Sequence, residues 1–516
     1  MMCGAAGGDD PQSEVFAFLL EPSNWPDRPP RVDVIETHGA KVFLGGELAL
    51  KVKRAVRLPY LDFSTLSARR KFLVRELEIN RPFAPEIYLD VIALTQSPDG
   101  RLQIGGEGTP VEWAVRMRRF EQAQLMSHVA DRNGISRDLA IGLADMAYRY
   151  HQAAQPVRQP SDGIAETAQS VLRAIAAHGT AEIAAERNKL AACLSEALAS
   201  TAPIRERRAC EGYVRRCHGD LHLGNIVLVD GKPVPFDAIE FDEAMATIDT
   251  LYDLAFLLMD LDRRGCRAAA NTVLNRYLWR TGDERDLMGL SALPLYMSLR
   301  AAIRAMVALD RARVVSDGST SLMAHARDTL SLALRHLTPG RTRLVAVGGL
   351  SGTGKSTLAA LIAPDIGRAP GALHIRTDLE RKSIAGVEET VRLPRTAYTE
   401  EASDRVYERV MSRARLALEA GQCVIVDGVF AKEEERAEIA ALAAQLGVGF
   451  HGVWLEASPA VLRHRVGARK GDASDATPEV VDQQLGYTTG SVAWPKLDAS
   501  GHPEDVGAAA RLLLGP

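Results

Sequence analysis

Long hydrophobic runs are scarce in this 516-residue sequence. The longest candidate, Leu254 to Met259, is far below the roughly 18 residues that span a bilayer, so no membrane partner is expected. Cysteine is sparse and dispersed. The six, Cys3, Cys193, Cys210, Cys217, Cys266 and Cys423, form no Cys-x-x-Cys pair, which argues against zinc and dithiol motifs and makes reduced thiols in a cytoplasmic protein the expectation. An excess of one charge is also missing. With 62 basic and 66 acidic residues and a formal net charge of -4, nothing global attracts nucleic acid or an anionic surface. Met1 to Ser13 lacks the basic-then-apolar order of a secretory signal. No fixed-period repeat is visible, which argues against a solenoid, and nothing in the sequence reports the oligomeric state.

What is present is an ordinary globular composition, 46% apolar and 25% charged, over a length that implies two to four units at about 100–200 residues each. Lys41 to Leu44 and Leu48 to Val52 flank Gly45-Gly46 and predict a hairpin. A helix-compatible stretch from Thr65 to Phe83 follows, then strands at Ile87–Leu94 and Trp113–Met117 separated by a turn-rich Ser97–Thr109. Leu139, Leu143, Met146, Ala147 and Tyr150 recur at helical spacing, and Ile226–Val229 with Pro233–Phe236 predicts a second hairpin whose two prolines make one arm an edge. Helices dominate from Ala246 to Leu337, and Thr338-Pro-Gly-Arg-Thr reads as a linker. Beyond it, apolar strands at Leu344–Val347, Leu373–Ile375, Val424–Val426 and Val453–Leu455 alternate with helices, the pattern of a parallel sheet covered on both faces.

The strongest motif follows the first of those strands: Gly349-Leu-Ser-Gly352-Thr-Gly354-Lys355-Ser356-Thr357, leading into a helical run. The glycines let backbone N–H groups turn inward around a polyphosphate at a helix N-terminus, Lys355 adds a mobile charge, and Ser356 offers its hydroxyl to Mg²⁺. Asp378, at the carboxyl edge of the next strand, is placed to take a proton from an acceptor hydroxyl, and Asp427, closing the third, suits Mg²⁺. This region, Arg343 to about Leu514, resembles the small P-loop kinases that include polynucleotide kinase, gluconate kinase and zeta-toxin-like proteins. The resemblance implies a catalytic Asp378 with an acceptor-binding Arg381, and an arginine-bearing lid at Val461–Arg469. There Arg465 and Arg469, four apart, would share a helix face and clamp the transferring phosphate.

A second constellation stands earlier. His218-Gly-Asp220-Leu-His-Leu-Gly-Asn225, a hairpin, then Phe236-Asp237 fits a kinase-type catalytic loop, with Asp220 for the acceptor hydroxyl and Asn225 and Asp237 for Mg²⁺. With Gly before Asp220, it resembles the aminoglycoside phosphotransferase and choline kinase branch, in which the Asp249–Asp253 segment would buttress the fold. Leu48-Ala-Leu-Lys51 is similar to the nucleotide-binding lysine strand, with Glu76 on the following helix as its ion-pair partner. Lys53 on the same strand face and Glu78 on the same helix remain alternatives. No G-x-G-x-x-G precedes the strand, and only Thr37-His38-Gly39 is placed to cover phosphate. Glu240 is open between a metal ligand and a helix-start carboxylate. The acids Glu240, Asp242, Glu243 and Asp249 read as a solvated capping cluster before they read as a lure for a cationic acceptor, and His151 and His222 as packing or hydrogen-bonding residues.

Together these observations predict an α+β two-lobe kinase-like domain followed by an α/β P-loop domain with a mostly parallel sheet. The expected divisions are an N-terminal extension at 1–31, an N-lobe at 32–120, a helical C-lobe at 121–337, a linker at 338–342 and the P-loop domain at 343–516. The expected ligands are ATP, Mg²⁺ and small hydroxyl-bearing acceptors.

Overall fold

The computed structural model describes residues 12–37, 39–58, 61–178, 181–314, 319–469 and 471–515. The chain divides into two compact units: Met1–Gly134 with Arg149–Val157 and Val214–Asp253, and Ile135–Tyr148 with Arg158–Tyr213 and Leu254–Pro516.

The first unit is built on an antiparallel sheet of β1 (Val32–Glu36), β2 (Ala40–Gly45), β3 (Leu48–Lys53), β4 (Tyr88–Gln96), β5 (Leu102–Ile104) and β6 (Thr109–Arg118), in the order β1-β2-β3-β6-β4-β5. The glycine hairpin closes as expected, with Val42 opposite Lys51 and Gly46 in a left-handed turn at φ 54°. Side-chain alternation then sorts β3. Leu50 and Val52 join Phe43 on one face, under the helix Ser13–Leu20 and Trp25. Residues 13–31, expected to be an extension, thus supply the cover for that face. The opposite face meets α1 (Leu66–Asn80), whose N-cap Thr65 accepts from the Ala68 N–H and whose Leu73 is wholly buried. Lys51 and Lys53 point to this side. β7 (Ile226–Val229) and β8 (Lys232–Pro235) form the second hairpin, and the proline arm pairs with β7 alone.

The second unit joins helices to a parallel sheet. Its helical part includes Ala181–Glu211, α2 (Arg267–Thr281), Leu293–Val314 and α3 (Ser319–Leu337). Glu284–Arg313 is long and apolar enough to cross a membrane, yet 72% of its apolar window is buried within the protein, as in a core helix. After the linker come β9 (Arg343–Gly348), β10 (Leu373–Arg376), β11 (Val424–Asp427), β12 (Gly449–Glu456) and β13 (Lys496–Asp498), all parallel in the order β10-β11-β9-β12-β13. Sequence patterning missed β13, which is only three residues long. The sheet is accompanied by α4 (Lys355–Ile362), α5 (Thr377–Ala385), α6 (Glu400–Glu419), α7 (Glu433–Gln445), α8 (Pro459–Gly467), α9 (Pro478–Leu485) and α10 (Pro503–Leu514).

The unit boundary does not fall at the linker, and the edge of this sheet shows why. An edge strand leaves backbone groups unpaired. On β10 they are taken by α2: Asn271 Nδ2 donates to the Ala372 carbonyl at 2.9 Å, and the His374 N–H donates to Asn275 Oδ1 at 2.7 Å.

Candidate functional site

In the first unit, β3, α1 and the segment after β8 bring five charged side chains into one ladder. Lys51 Nζ lies 2.7 Å from Glu76 and 2.5 Å from Asp237, while Lys53 Nζ lies 2.7 Å from the other Glu76 oxygen and 2.5 Å from Glu240. Burial opposes the charge on Lys51, but the Asp237 and Glu76 carboxylates prevail and hold its ammonium well above the ordinary range. Burial likewise opposes Asp237, and Lys51 overrides it and keeps the carboxyl below its usual value. Sequence spacing left Lys51 and Lys53 as rivals. The structure gives each a different second partner on the shared Glu76. Glu78 drops out, since it is exposed and pairs with Arg75.

The catalytic loop is held by short contacts. Asn225 Nδ2 donates to the Asp220 carboxylate at 2.8 Å and to its carbonyl at 3.0 Å. Asp237 takes a left-handed φ of 62°, fixed by its N–H to the Tyr88 hydroxyl and by the Ala238 N–H to Asn80. Beneath the loop, Asp253 accepts the N–H groups of His218 and Gly219 and the ring of His151, at 3.2, 2.9 and 3.1 Å. That is the buttress the resemblance implied, and it gives His151 a hydrogen-bonding role. His222 accepts from the Gly224 N–H and sits 3.3 Å from Asp220.

The acids after the catalytic loop take separate partners. Glu240, left open between a metal ligand and a helix-start carboxylate, is buried with its carboxylate 2.5 Å from Lys53 Nζ. The acidic residues around it do not form a common field. Asp242 caps the helix Glu243–Ala246, Glu243 pairs with Arg75 and Arg216, and Asp249 accepts the Leu251 N–H. The expected phosphate-covering turn includes His38, which lies outside the described residues.

In the second unit, the phosphate loop requires its glycines. Gly352 at φ 91° would place a Cβ 2.8 Å from the Leu462 carbonyl, and Gly349 at φ 139° one 2.6 Å from that of Leu455. Lys355 opens α4 and its Nζ donates to the Leu350 carbonyl at 3.0 Å; burial pushes its pKa down to about 8. Asp427 bonds to Ser356, to His374 at 2.8 Å, and faces Arg376 at 4.0 Å, and these partners outweigh burial to hold its carboxyl low. Asp378, in the first turn of α5, moves the other way: burial and the Asp427 charge raise it. Two neighbouring acids are thereby shifted in opposite directions. Thr357 follows Ser356 on α4, beside a 530 Å³ cavity that also reaches Gly352, Gly354, Arg465 and Arg469.

Arg465 and Arg469 do not share the helix face that their spacing predicted. α8 ends at Gly467, so Arg469 lies beyond the helix, 3.7 Å from Asp472. Arg465 donates to the carbonyls of Ala499, Ser500 and Gly501 at 2.7, 3.2 and 3.2 Å, which anchors the loop before α10. Arg381 donates to the Ala397 carbonyl at 2.6 Å and stacks 4.8 Å above Tyr398. Arg376, which sequence reasoning missed, sits among Asp427, Asp472 and Asp378. Its place at the carboxyl end of a strand, just before Thr377-Asp378, was the available signal.

Comparison with known proteins finds two family matches along the chain. Residues 92–290 match the phosphotransferase enzyme family, and residues 344–490 match a family described as an AAA domain. Uncharacterized proteins of Mycobacterium tuberculosis and Mycobacterium bovis are 32% identical over 461 residues, 87% of this chain and 89% of each relative. The chain belongs to their family. It is a phosphotransferase-family domain joined to a P-loop kinase-type domain, and thus an ATP-dependent phosphotransferase. Among solved structures, a choline/ethanolamine kinase family protein from Mesorhizobium loti is 15% identical, over 63% of this chain and 99% of that one, with a TM-score of 0.37. A sugar kinase from a Janibacter species is 22% identical, over 34% of this phosphotransferase and 94% of its own chain, with a TM-score of 0.26.

Proposed function

We propose that this phosphotransferase carries two working kinase sites, each moving the γ-phosphoryl group of ATP to a hydroxyl of a small molecule. The observation that supports this best is duplication of the whole machinery: each site keeps a cation for phosphate, metal-type ligands and a separate aspartate for the acceptor. In the first unit Lys51, held by Glu76, faces the phosphates, Asn225 and Asp237 would hold Mg²⁺, and Asp220 orients the acceptor hydroxyl and takes its proton. In the second, the glycine cradle and Lys355 grip the phosphates, Ser356 and Asp427 would hold Mg²⁺, and Asp378 receives the proton, its raised carboxyl making it the better base. Mg²⁺ when bound supplies neutralisation of the phosphate charge. Arg376 and Arg469 are the cations positioned to steady the transferring group, and Arg381 lies toward the acceptor side beside Tyr398. A cytoplasmic setting fits an ATP-consuming enzyme with free thiols.

ATP turnover on a metabolite extract, measured for Asp220→Ala and Lys355→Ala, tests this reading. Each variant is expected to lose one set of phosphorylated products and retain the other. If one substitution abolishes every product and the other none, a single site is catalytic and the two-site reading fails.

A further inference from the structure

The second unit has a basic groove at the opposite end of its sheet from the phosphate loop. β9 begins at Arg343 in this groove and ends at Gly348 beside the loop. Six strand residues span about 20 Å, so a triphosphate gripped by Lys355 does not reach it. The groove, 1310 Å³ in volume, is walled by the first residue of α2, the last turn of α3, the linker and the start of β9.

Its charge is lopsided. Arg267, Arg335, Arg341, Arg343 and Arg368 face it, against the carboxylates of Asp262 and Asp365. Asp365 is already engaged by Arg511 at 2.8 Å. Asp262 is left to answer Arg267 and Arg335, which oppose the upward push of burial on its carboxyl. Burial holds the Arg368 guanidinium below its ordinary value. Inside the wall, His336 is 4% exposed, its Nε2 has no hydrogen-bond partner, and the nearest carboxylate oxygen, on Asp262, is 3.7 Å away. Burial followed by Arg335 and Arg267 pushes that imidazole down to about 3, so it stays neutral at pH 7.

Arginines at a helix C-terminus are often only solvated partners of the dipole. That explanation covers Arg335 but not the convergence of arginines from α2, the linker, β9 and the segment before β10 on one concavity, nor the buried imidazole in its wall whose Nε2 lacks a hydrogen-bond partner. We propose that the groove is a second, non-catalytic site that binds a small molecule carrying several negative charges, of the polyphosphate or multiply phosphorylated class. Arginine forks pair with phosphate oxygens in two-pronged fashion, and the volume suits an extended anion better than a single phosphate.

The test uses inorganic tripolyphosphate as the probe on the full chain with Lys51→Met and Lys355→Ala, which weaken both nucleotide sites. Calorimetry is expected to show binding that Arg335→Glu with Arg341→Glu weakens by at least about tenfold, the order expected for two lost charge-assisted contacts. The corresponding Lys substitutions should keep most of it. Both arginines are exposed, so the fold should survive, and an unchanged melting temperature checks that. Independently, tripolyphosphate should shift the His336 ring resonances in the variant-free groove and not after the charge reversals. Absence of binding before the reversals, equal affinity after them, or an unmoved His336 signal would overturn the proposal.

Discussion

Lys53→Met and Lys51→Met should separate cleanly, although the two lysines are two residues apart on one strand and share Glu76. The Lys53 side chain is 4% exposed and its second partner Glu240 5%, whereas Lys51 meets an Asp237 that is 43% exposed. Removing Lys53 leaves Glu240 buried without its cation, and breaking a buried pair from one side costs about 3–5 kcal/mol. Removing Lys51 leaves Glu76 still paired to Lys53 and lets water reach Asp237, so the loss is about 1 kcal/mol, the scale of a partly exposed pair. With a urea slope of about 2–3 kcal/mol/M, Lys53→Met should move the midpoint by roughly 1–2 M and Lys51→Met by less than about 0.5 M. Hydrogen exchange of the β3 amides would localise the change to the first unit. Activity should order the other way per unit of stability lost: Lys51→Met stays folded and loses turnover at this site by about 100-fold or more, the scale of a lost transition-state contact. Equal stability of Lys53→Met and the parent would refute the ladder argument, as would an unfolded Lys51→Met.

Asp253→Asn keeps the shape of the buttress but replaces one acceptor oxygen with a donor facing the His218 N–H. An unsatisfied buried N–H costs about 1–3 kcal/mol, and chemical denaturation should show a loss of that size with reduced turnover at the Asp220 site. Gly352→Ala should abolish nucleotide binding at the phosphate loop, measured by equilibrium dialysis on the Lys51→Met background, since its Cβ meets the Leu462 carbonyl at 2.8 Å in a left-handed backbone. Lys355 sets a pH dependence. Its pKa is about 8 in the folded chain against an ordinary 10.5, so the unfolded chain holds more protons between those values. The unliganded second unit is therefore penalised below about pH 8 and regains stability as pH rises toward 10.5, while ATP affinity at this site falls above about pH 8 as the ammonium is lost. Thermal melts and binding isotherms from pH 7 to 10 should show these opposite trends, and Lys355→Met should remove both.

The sequence was most informative where one backbone requirement or one short loop contains the chemistry. The phosphate cradle was legible because glycines, strand and helix are contiguous, and the Asp220–Asn225 loop because five residues bring the two side chains within hydrogen-bond distance. The Lys53–Glu240 pair was not legible, since its members are 187 residues apart and nothing local marks a carboxylate as buried. Spacing could place Arg465 and Arg469 on one helical face only if the helix continued, and it stops at Gly467. The domain boundary shows the same limit. Proline and glycine marked 338–342 as a connector, but a connector is not a division in packing. The asparagines of α2 look like ordinary polar helix positions until β10 is seen to need partners for its open edge. Once those bonds are made, the helical segment and the P-loop sheet form one unit. The same α2 helix reaches His374 through its backbone, and the His374 ring holds Asp427 at 2.8 Å. A substitution at Asn275 should therefore reach the metal-type carboxylate through two intervening contacts. Asn275→Ala is expected to lower turnover at the P-loop site without altering any residue there, and if that site stays fully active in the variant, the edge contacts serve packing alone.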